Sequence, residues 1–162
     1  MAKRVIRIDN DPILRKKSRE VSKIDDRIKV LIEDMYETMD YADGVGLAAP
    51  QVGTLRRVIT VDDRDGTRFA LINPEIICSE GTQLGNEGCL SLPNKQGKVK
   101  RANEVKVKYI DINGEEKEIQ AVEYLARILQ HEIDHLNGIL YSDIADEMYE
   151  ITEDSEDEEE QI

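Results

Sequence analysis

The sequence predicts a single α+β domain in which small, mostly antiparallel sheets pack around one central helix. Three observations support this fold class. The chain has 162 residues, of which 40% are hydrophobic, which is enough for one buried core and too short for two ordinary domains. Two stretches repeat apolar residues at intervals of three and four, which is typical of one-faced helices. Several short runs rich in β-branched residues lie between turn-forming residues, as antiparallel strands do.

The acidic character of the chain is concentrated towards its C-terminal end. The formal net charge is −13, but eleven of the 35 acidic residues lie between Asp143 and Glu160, and no Lys or Arg follows Arg127. The rest of the chain is nearly neutral and has no dense basic patch, which argues against a protein that works by neutralising DNA phosphates. Its apolar runs are too short for a membrane span, and its first residues lack the apolar stretch of a secretory signal. We therefore expect a cytoplasmic protein with no membrane partner.

The charge distribution divides the chain into a body, residues 1–142, and an acidic C-terminal segment, residues 143–162. In the first part of this segment the apolar residues keep a helical spacing for two turns, which predicts a short helix. These residues are Ile144, Met148 and Ile151. In the second part, Glu153–Glu160 has seven acids in eight positions, which predicts a mobile, solvated tail.

The first helix is predicted from Asp25 to about Tyr41, with Asp25 or Asp26 as its N-cap. The stretch that follows, from Asp43 to Gly53, consists largely of small residues and contains three glycines, which predicts a loop that can turn sharply and approach another group closely. A phosphate-binding loop would need Lys-Ser or Lys-Thr after its glycines, and neither follows here. A plain tight turn remains the alternative.

Short strands are predicted at Val58–Val61 and Phe69–Ile72. A third strand, Val105–Ile110, alternates apolar residues with lysines, which is typical of a strand with one buried face. The turn Asn113-Gly114 then predicts that the chain returns through Glu118–Val122 as a hairpin, because Asn-Gly favours the backbone conformation of tight hairpin turns. These strands are the basis for the predicted antiparallel sheets.

The second helix carries the chemistry. Its apolar residues repeat with helical spacing from Val122 to Leu136, and Asn137-Gly138 predicts its C-terminal cap. The segment His131-Glu132-Ile133-Asp134-His135 lies in this helix, so both imidazoles project from one face and can bind one metal ion, with the carboxylate beside them. A pair of ordinary surface or core histidines is the alternative interpretation.

A catalytic metal site needs a third protein ligand and one open position. In one zinc-peptidase pattern a third His would fall at position 141, which is Tyr, and in another a Glu would fall within the acidic tail. A cysteine is the better candidate, since both cysteines are expected to be free thiols. Cys89 lies between Gly88 and Pro93, which restrict the backbone around it, whereas Cys78 ends an apolar run and is expected to be a small buried hydrophobe.

Three segments together resemble the three motifs of the peptide deformylase family. They are Gly44–Gln51, Glu87–Pro93 and Gln130–Leu136, in this order and spacing. The similarity extends from about Asp11 to Asp143, so the body would be the catalytic domain. The resemblance implies a metallohydrolase that removes the N-formyl group from the N-terminal formyl-methionine of newly made polypeptides.

The resemblance also implies roles for individual residues. The implied metal ligands are Cys89, His131 and His135. They would hold one divalent ion per chain, usually Fe2+ in the family, although Zn2+, Ni2+ or Co2+ can also occupy such a site. Glu132 would be the general base for metal-activated water. The side-chain amide of Gln51 and the backbone N–H of Leu90 would donate to the oxyanion.

The resemblance further implies how the formyl-methionyl peptide binds. Gly46 would offer backbone hydrogen bonds to an extended peptide, while Val45 and Ile128 would line an apolar slot for the methionine side chain. Arg101 would lie near the path of the peptide, although an exposed arginine at a strand edge is an equally good interpretation. Some bacterial relatives dock on the ribosome through a basic C-terminal helix, and the acidic segment from Asp143 argues against that route here.

Two other functions fit some of the same residues. An endopeptidase would share the two histidines and the glutamate but would need a groove open in both directions. A purely structural metal site would need four protein ligands, and no fourth ligand is evident in the sequence.

Overall fold

A computed structural model describes residues 2–151 and has the α+β architecture that the sequence predicts. The α-helices are α1 (Asp26–Tyr41) and α2 (Glu123–Leu136). The strands are β1 (Gly46–Ala48), β2 (Val58–Asp62), β3 (Arg68–Glu80), β4 (Gln83–Cys89), β5 (Leu92–Arg101), β6 (Glu104–Ile110), β7 (Glu116–Val122) and β8 (Glu147–Glu150). Short 3-10 helices span Pro12–Arg15, Ala49–Val52 and Tyr141–Asp143. In this part of the chain, neither α-helix combines the length and apolar character that a membrane span requires.

The strands form two antiparallel sheets. The larger sheet has the order β1-β2-β3-β6-β7, and the smaller has the order β4-β5-β8. The predicted hairpin is confirmed, since β6 and β7 pair from Ile110 and Glu116 outwards. The strand predicted at Phe69–Ile72 is longer than expected because register shifts after Ile72 and Ile76 let β3 continue from its pairing with β2 into its pairing with β6.

Helix α2 lies between the larger sheet and the end of β4. Its apolar face packs against the larger sheet in one buried cluster. The helix contributes Ile128, Leu129 and Leu136 to this cluster. Its other face carries the two histidines towards Cys89 at the end of β4. The helix ends at Leu136 as predicted, and Gly138 follows with φ = 74°, a conformation that favours glycine. A Cβ at this position would lie 2.4 Å from the carbonyl oxygen of Arg15, so a residue with a side chain would also clash with the backbone there.

Helix α1 confirms the predicted start and end closely. It begins at Asp26, and the side chain of Asp25 caps it by accepting a hydrogen bond of 3.1 Å from the backbone N–H of Ile28. The predicted loop that follows is wrong in part, because Gly46–Ala48 forms strand β1 and Ala49–Val52 forms a 3-10 helix. Strand β1 forms because it pairs with β2. The small residues and glycines of this segment do not by themselves indicate that pairing.

The short helix predicted after residue 143 is also wrong. Residues 147–150 form β8, which pairs with the otherwise open edge of β5. The register places Lys95 opposite Glu150 and Lys98 opposite Glu147, so opposite charges face each other across the strands. Pairing with a strand edge therefore overrides the helical spacing of the apolar residues. The acidic run 153–160 lies outside the described residues.

Candidate metal centre

Three side chains from distant parts of the sequence meet at one buried site, as predicted. One ligand atom each from Cys89, His131 and His135 lies within 4.8 Å of the others, and all three residues are buried. The Sγ of Cys89 is 3.3 Å from the Nε2 of His135, and the two imidazole centroids are 5.0 Å apart. The helical spacing brings both rings to one face of α2, while the last residue of β4 supplies the sulfur.

One carboxylate, Glu87, orients the imidazole of His131. Its Oε1 is 2.7 Å from Nδ1 of His131. The carboxylate also accepts two hydrogen bonds of 2.8 Å from Arg101 and one of 2.6 Å from Arg127. Burial by itself would raise the pKa of Glu87, but the hydrogen bonds from Arg101 and His131 outweigh it and hold the pKa well below its usual range. The ionised carboxylate keeps the proton on Nδ1, so the lone pair of Nε2 points away from it.

The other buried carboxylate, Glu132, has the opposite surroundings. It is fully buried, and neither of its oxygens has a hydrogen-bond partner among the described residues. Burial, followed by repulsion from Glu87, raises its pKa well above the usual value. Gly46 of β1 allows the carboxylate to sit here, because a Cβ at that position would lie 2.5 Å from its Oε2.

The donor set fits a divalent cation. In the described part of the chain, Nε2 of His131 and both oxygens of Glu132 are buried polar atoms without a partner, which is costly unless a cation or its water satisfies them. Burial lowers the pKa of His135 well below its usual value, so its imidazole is neutral, as a metal ligand must be. Burial and the nearby Glu132 raise the pKa of the Cys89 thiol, and a bound cation would offset that by stabilising the thiolate.

The amide of Gln51 lies beside this centre. In the 3-10 helix Ala49–Val52, its Oε1 accepts a hydrogen bond of 3.0 Å from the backbone N–H of Ala48. Its Nε2 donates to Ser91 Oγ at 3.0 Å and lies 3.5 Å from the Sγ of Cys89. Leu90 follows directly after Cys89, in the turn between β4 and β5. Both residues expected to supply oxyanion donors therefore lie next to the sulfur ligand.

The predicted peptide-binding residues are not all at the same place. Gly46 lies against Ile128 of α2, since a Cβ at Gly46 would be 3.0 Å from Cγ2 of Ile128. Val45 and Ile128 belong to the same buried cluster. The interpretation of Arg101 as an exposed arginine at a strand edge is wrong, whereas its place near the path of the peptide stays a prediction. This side chain is only 4% exposed, and its guanidinium pairs with Glu87 and with Asp134, 2.6 Å away. Its charge is thereby committed to the carboxylate behind His131.

The expected burial of Cys78 is also wrong. This residue is exposed on β3, where its backbone pairs in register with Lys106, and both cysteines are free thiols. Within the described residues, the cluster around the histidines offers three ligands and no fourth. A closed four-ligand structural site is therefore not supported.

The comparisons with known proteins identify the family. The model of the polypeptide deformylase family matches residues 3–150. The chain belongs to the polypeptide deformylase family. Members of this family are metal-dependent hydrolases that remove the N-formyl group from newly made polypeptides, and the chain shares that function. The resemblance stated from its three motifs is thereby confirmed.

Individual relatives are similar over nearly their whole length. A peptide deformylase of Alkaliphilus metalliredigens is 59% identical over 143 residues, which cover 88% of this chain and 97% of the relative. One from Finegoldia magna is 54% identical over 146 residues, covering 88% and 90%. Among solved structures, the peptide deformylase from Thermotoga maritima superposes with a TM-score of 0.86 at 44% identity, covering 90% of this chain and 99% of that one.

Four residues around the deformylase site were missed from the sequence. Glu87 and Arg127 form the ionic support of His131, Ser91 holds the amide of Gln51, and Tyr141 stacks on His131 with centroids 5.8 Å apart. Arg127 could have been suspected, because it lies one helical turn before His131 and so shares its face. Glu87 could have been suspected from its place two residues before the cysteine, on the same side of a strand.

Proposed function

We propose that the body of the chain hydrolyses the formamide bond of N-formyl-methionyl peptides in the cytoplasm, with one Fe2+ held by three protein side chains. These are Cys89, His131 and His135. The observation that carries the proposal is the convergence of these ligand atoms beside a buried, unpartnered carboxylate. The choice of Fe2+ rests on the family resemblance, because two imidazoles and a thiolate also suit Zn2+, Ni2+ and Co2+. The location follows from the substrate, which is a polypeptide at the time of its synthesis.

A bound metal would supply Lewis-acid chemistry and would lower the pKa of the attacking water. The residues around it fix the ligands in place. Glu87 keeps the proton of His131 on Nδ1 and so frees Nε2 for coordination. Arg101 and Arg127 in turn hold Glu87 from two directions.

Glu132 is the proposed general base and acid. Because burial raises its pKa, this carboxylate binds a proton more readily than an exposed one and can take it from the attacking water. The water oxygen then forms a bond to the formyl carbon, and the carbon–nitrogen bond breaks. Glu132 returns the proton to the leaving amine, so the products are formate and a free N-terminus.

The charge that develops on the formyl oxygen needs donors that are already in position. We assign this role to Nε2 of Gln51 and the backbone N–H of Leu90. The hydrogen bonds of Gln51 to Ala48 and Ser91 fix its amide plane, so it does not need to reorganise during the reaction. Loss of such a donor typically lowers kcat by about a hundredfold or more.

Strand β1 is the proposed docking edge for the substrate. It is an edge strand of the larger sheet and pairs only with β2 among the described strands. An extended peptide can therefore add to its free side through the backbone of Gly46. Val45 and Ile128 would border the methionine side chain, and both are fully buried in the core beside this strand.

The direct test is formate release from formyl-Met-Ala by protein freshly loaded with Fe2+ or Ni2+. We expect stoichiometric formate and Met-Ala. Acetyl-Met-Ala is the matched control, since it tests whether the site requires the smaller formyl group. A protein that retains its ion but leaves formyl-Met-Ala intact would contradict the proposal. Cleavage of an N-blocked peptide at an internal bond would instead indicate an endopeptidase.

A further inference from the structure

The N-terminal strap, defined here as residues 2–11, hydrogen-bonds to both segments that carry the proposed oxyanion donors. The backbone N–H of Arg7 donates to the carbonyl of Gln51 at 2.7 Å, and that of Asp9 donates to the carbonyl of Ser91 at 2.8 Å. These two acceptors belong to the 3-10 helix after β1 and to the turn after β4. The strap therefore connects two segments that are far apart in sequence and adjacent at the active site.

The two segments meet within the site itself. Gln51 donates from Nε2 to the hydroxyl of Ser91 at 3.0 Å, and Leu90 immediately precedes Ser91. The strap fixes the main chain of Gln51 and Ser91 while this side-chain bond fixes the amide. The spacing between the Gln51 amide and the Leu90 N–H thus depends on both connections.

The strap is anchored on both sides of these contacts. Before them, Arg4 donates from its backbone N–H to Thr38 Oγ1 at 2.8 Å and pairs with Asp34 through Nε at 2.9 Å. After them, Asp11 caps the 3-10 helix that follows it by accepting from the N–H of Ile13 at 3.1 Å. Arg7 pairs with Asp11 at 3.1 Å. Because the strap is held at both ends, its backbone N–H groups between the anchors have fixed positions, and so do the carbonyl groups that accept hydrogen bonds from them.

We propose that Arg7 and Asp9 are positioning residues of the reaction: through their backbone N–H groups the strap sets the separation of the two oxyanion donors. This inference rests on the proposed function, because it assigns the effect to the donor role of Gln51. Misplacement of a reacting group by about 1 Å can lower a rate by about a hundredfold. The strap therefore affects kcat more than substrate binding.

The decisive variant is Arg7→Pro, which removes the N–H that donates to Gln51. The same change at Asp9 is unsuitable, because its φ of 55° does not fit proline. We expect the metal-loaded Arg7→Pro protein to lose at least tenfold in kcat with a much smaller change in KM. Arg7→Ala removes only the side chain and keeps the backbone N–H, so its loss of kcat should be smaller than that of Arg7→Pro. Val5→Ala is the control for a side-chain change within the strap that leaves every backbone N–H in place; Val5 is 80% exposed, so this variant should keep the wild-type kcat.

A double-mutant cycle with Gln51→Ala separates positioning from general destabilisation. If the strap acts through Gln51, Arg7→Pro should cause little further loss of kcat once that donor is absent. An equal loss in both backgrounds would overturn the proposal. An unchanged kcat in Gln51→Ala would instead refute the oxyanion role in the proposed function, and so the two failures are distinguishable.

A second variant keeps the proposal testable if Arg7→Pro does not fold. Thr38→Val removes the acceptor of the Arg4 N–H at the far end of the strap with little change in shape. We expect a loss of kcat of about two- to fivefold, since misplacement of a catalytic group is costly, with unchanged metal content and no further loss in the Gln51→Ala background. A folded Thr38→Val protein with wild-type kcat would overturn the proposal.

Discussion

Two glutamates in the metal centre are both buried, yet their surroundings differ in every other respect. Glu87 is bound by two arginines and a histidine, and its pKa is held below the usual range. Glu132 has no hydrogen-bond partner in the described part of the chain, and its pKa is raised. The difference supports the proposal that Glu87 holds a ligand in place while Glu132 moves a proton, because a proton carrier must not be fixed in its ionised form.

The largest expected effect is that of Glu132→Gln. This change removes the proposed general base, so we expect kcat to fall by about a hundredfold to ten-thousandfold. The metal content should stay at one ion per chain, because Glu132 is not one of the three ligands. Formate release and elemental analysis of the same preparation measure both quantities. Glu33→Gln makes the same change at an exposed position of α1 and serves as the control; comparable activity in the two variants would contradict the base role.

A different loss is expected for Glu87→Gln. Removing the charge leaves Arg101 and Arg127 without their shared carboxylate and loosens His131. Loss of such a supporting group typically weakens metal binding by about 10–100-fold. Metal competition with a chelator measures this directly. If Glu87→Gln bound metal as tightly as wild type, the support of His131 by Glu87 would be unimportant.

The pH dependence of stability in metal-free protein should differ in sign between the two sites. Glu132 has a raised pKa, so its contribution to stability is fully present below its ordinary value near 4.5 and is lost as the pH rises through its folded pKa. Glu87 has a lowered pKa, so its contribution is present above that ordinary value, also near 4.5, and is lost as the pH falls.

Denaturant unfolding of the metal-free variants at pH values above and below the ordinary glutamate pKa tests how the contribution of each carboxylate to stability changes with pH. Relative to wild type, Glu132→Gln should gain stability as the pH rises above the ordinary glutamate value. The stability deficit of Glu87→Gln should shrink as the pH falls below that value. Slopes of the same sign for both variants would contradict the contrast between the two carboxylates.

The smallest effect is expected from shortening the C-terminal end. A chain ending at Ile151 retains β8 and both glutamates with all their described contacts, so kcat and the free energy of unfolding should stay at wild-type values. A chain ending at Asp146 also removes β8 and its pairing with β5, and should have a lower free energy of unfolding. A large loss of activity in the longer of these chains would show that the acidic residues beyond Ile151 contribute to the site.

The parts of the fold that local patterns determine were predictable. Both α-helices and the Asn113-Gly114 hairpin follow from spacing, caps and turn residues within a few positions. The meeting of His131 and His135 was predictable because both residues share one helical face. Strand β8 was not, because its structure depends on the edge of β5, about fifty residues earlier in the chain.

The errors at Arg101 and Cys78 have the same physical origin. Arg101 is buried because Glu87 and Asp134 neutralise its charge, and these partners come from another strand and from α2. Cys78 follows two apolar residues, but the pairing of β3 with β6 shifts its register between Ile76 and Cys78. The side chain of Cys78 is exposed. Burial of these side chains depends on which elements pack beside them, which the local sequence does not specify.

In the proposed site, one sulfur and two imidazole nitrogens hold the metal. X-ray absorption spectroscopy of protein loaded with Zn2+ tests this most directly. The structure predicts one metal–sulfur distance of about 2.3 Å and two metal–nitrogen distances of about 2.0–2.1 Å, with Cys89→Ala removing the sulfur signal. A spectrum without sulfur, or a sulfur signal that survives in Cys89→Ala, would contradict the account.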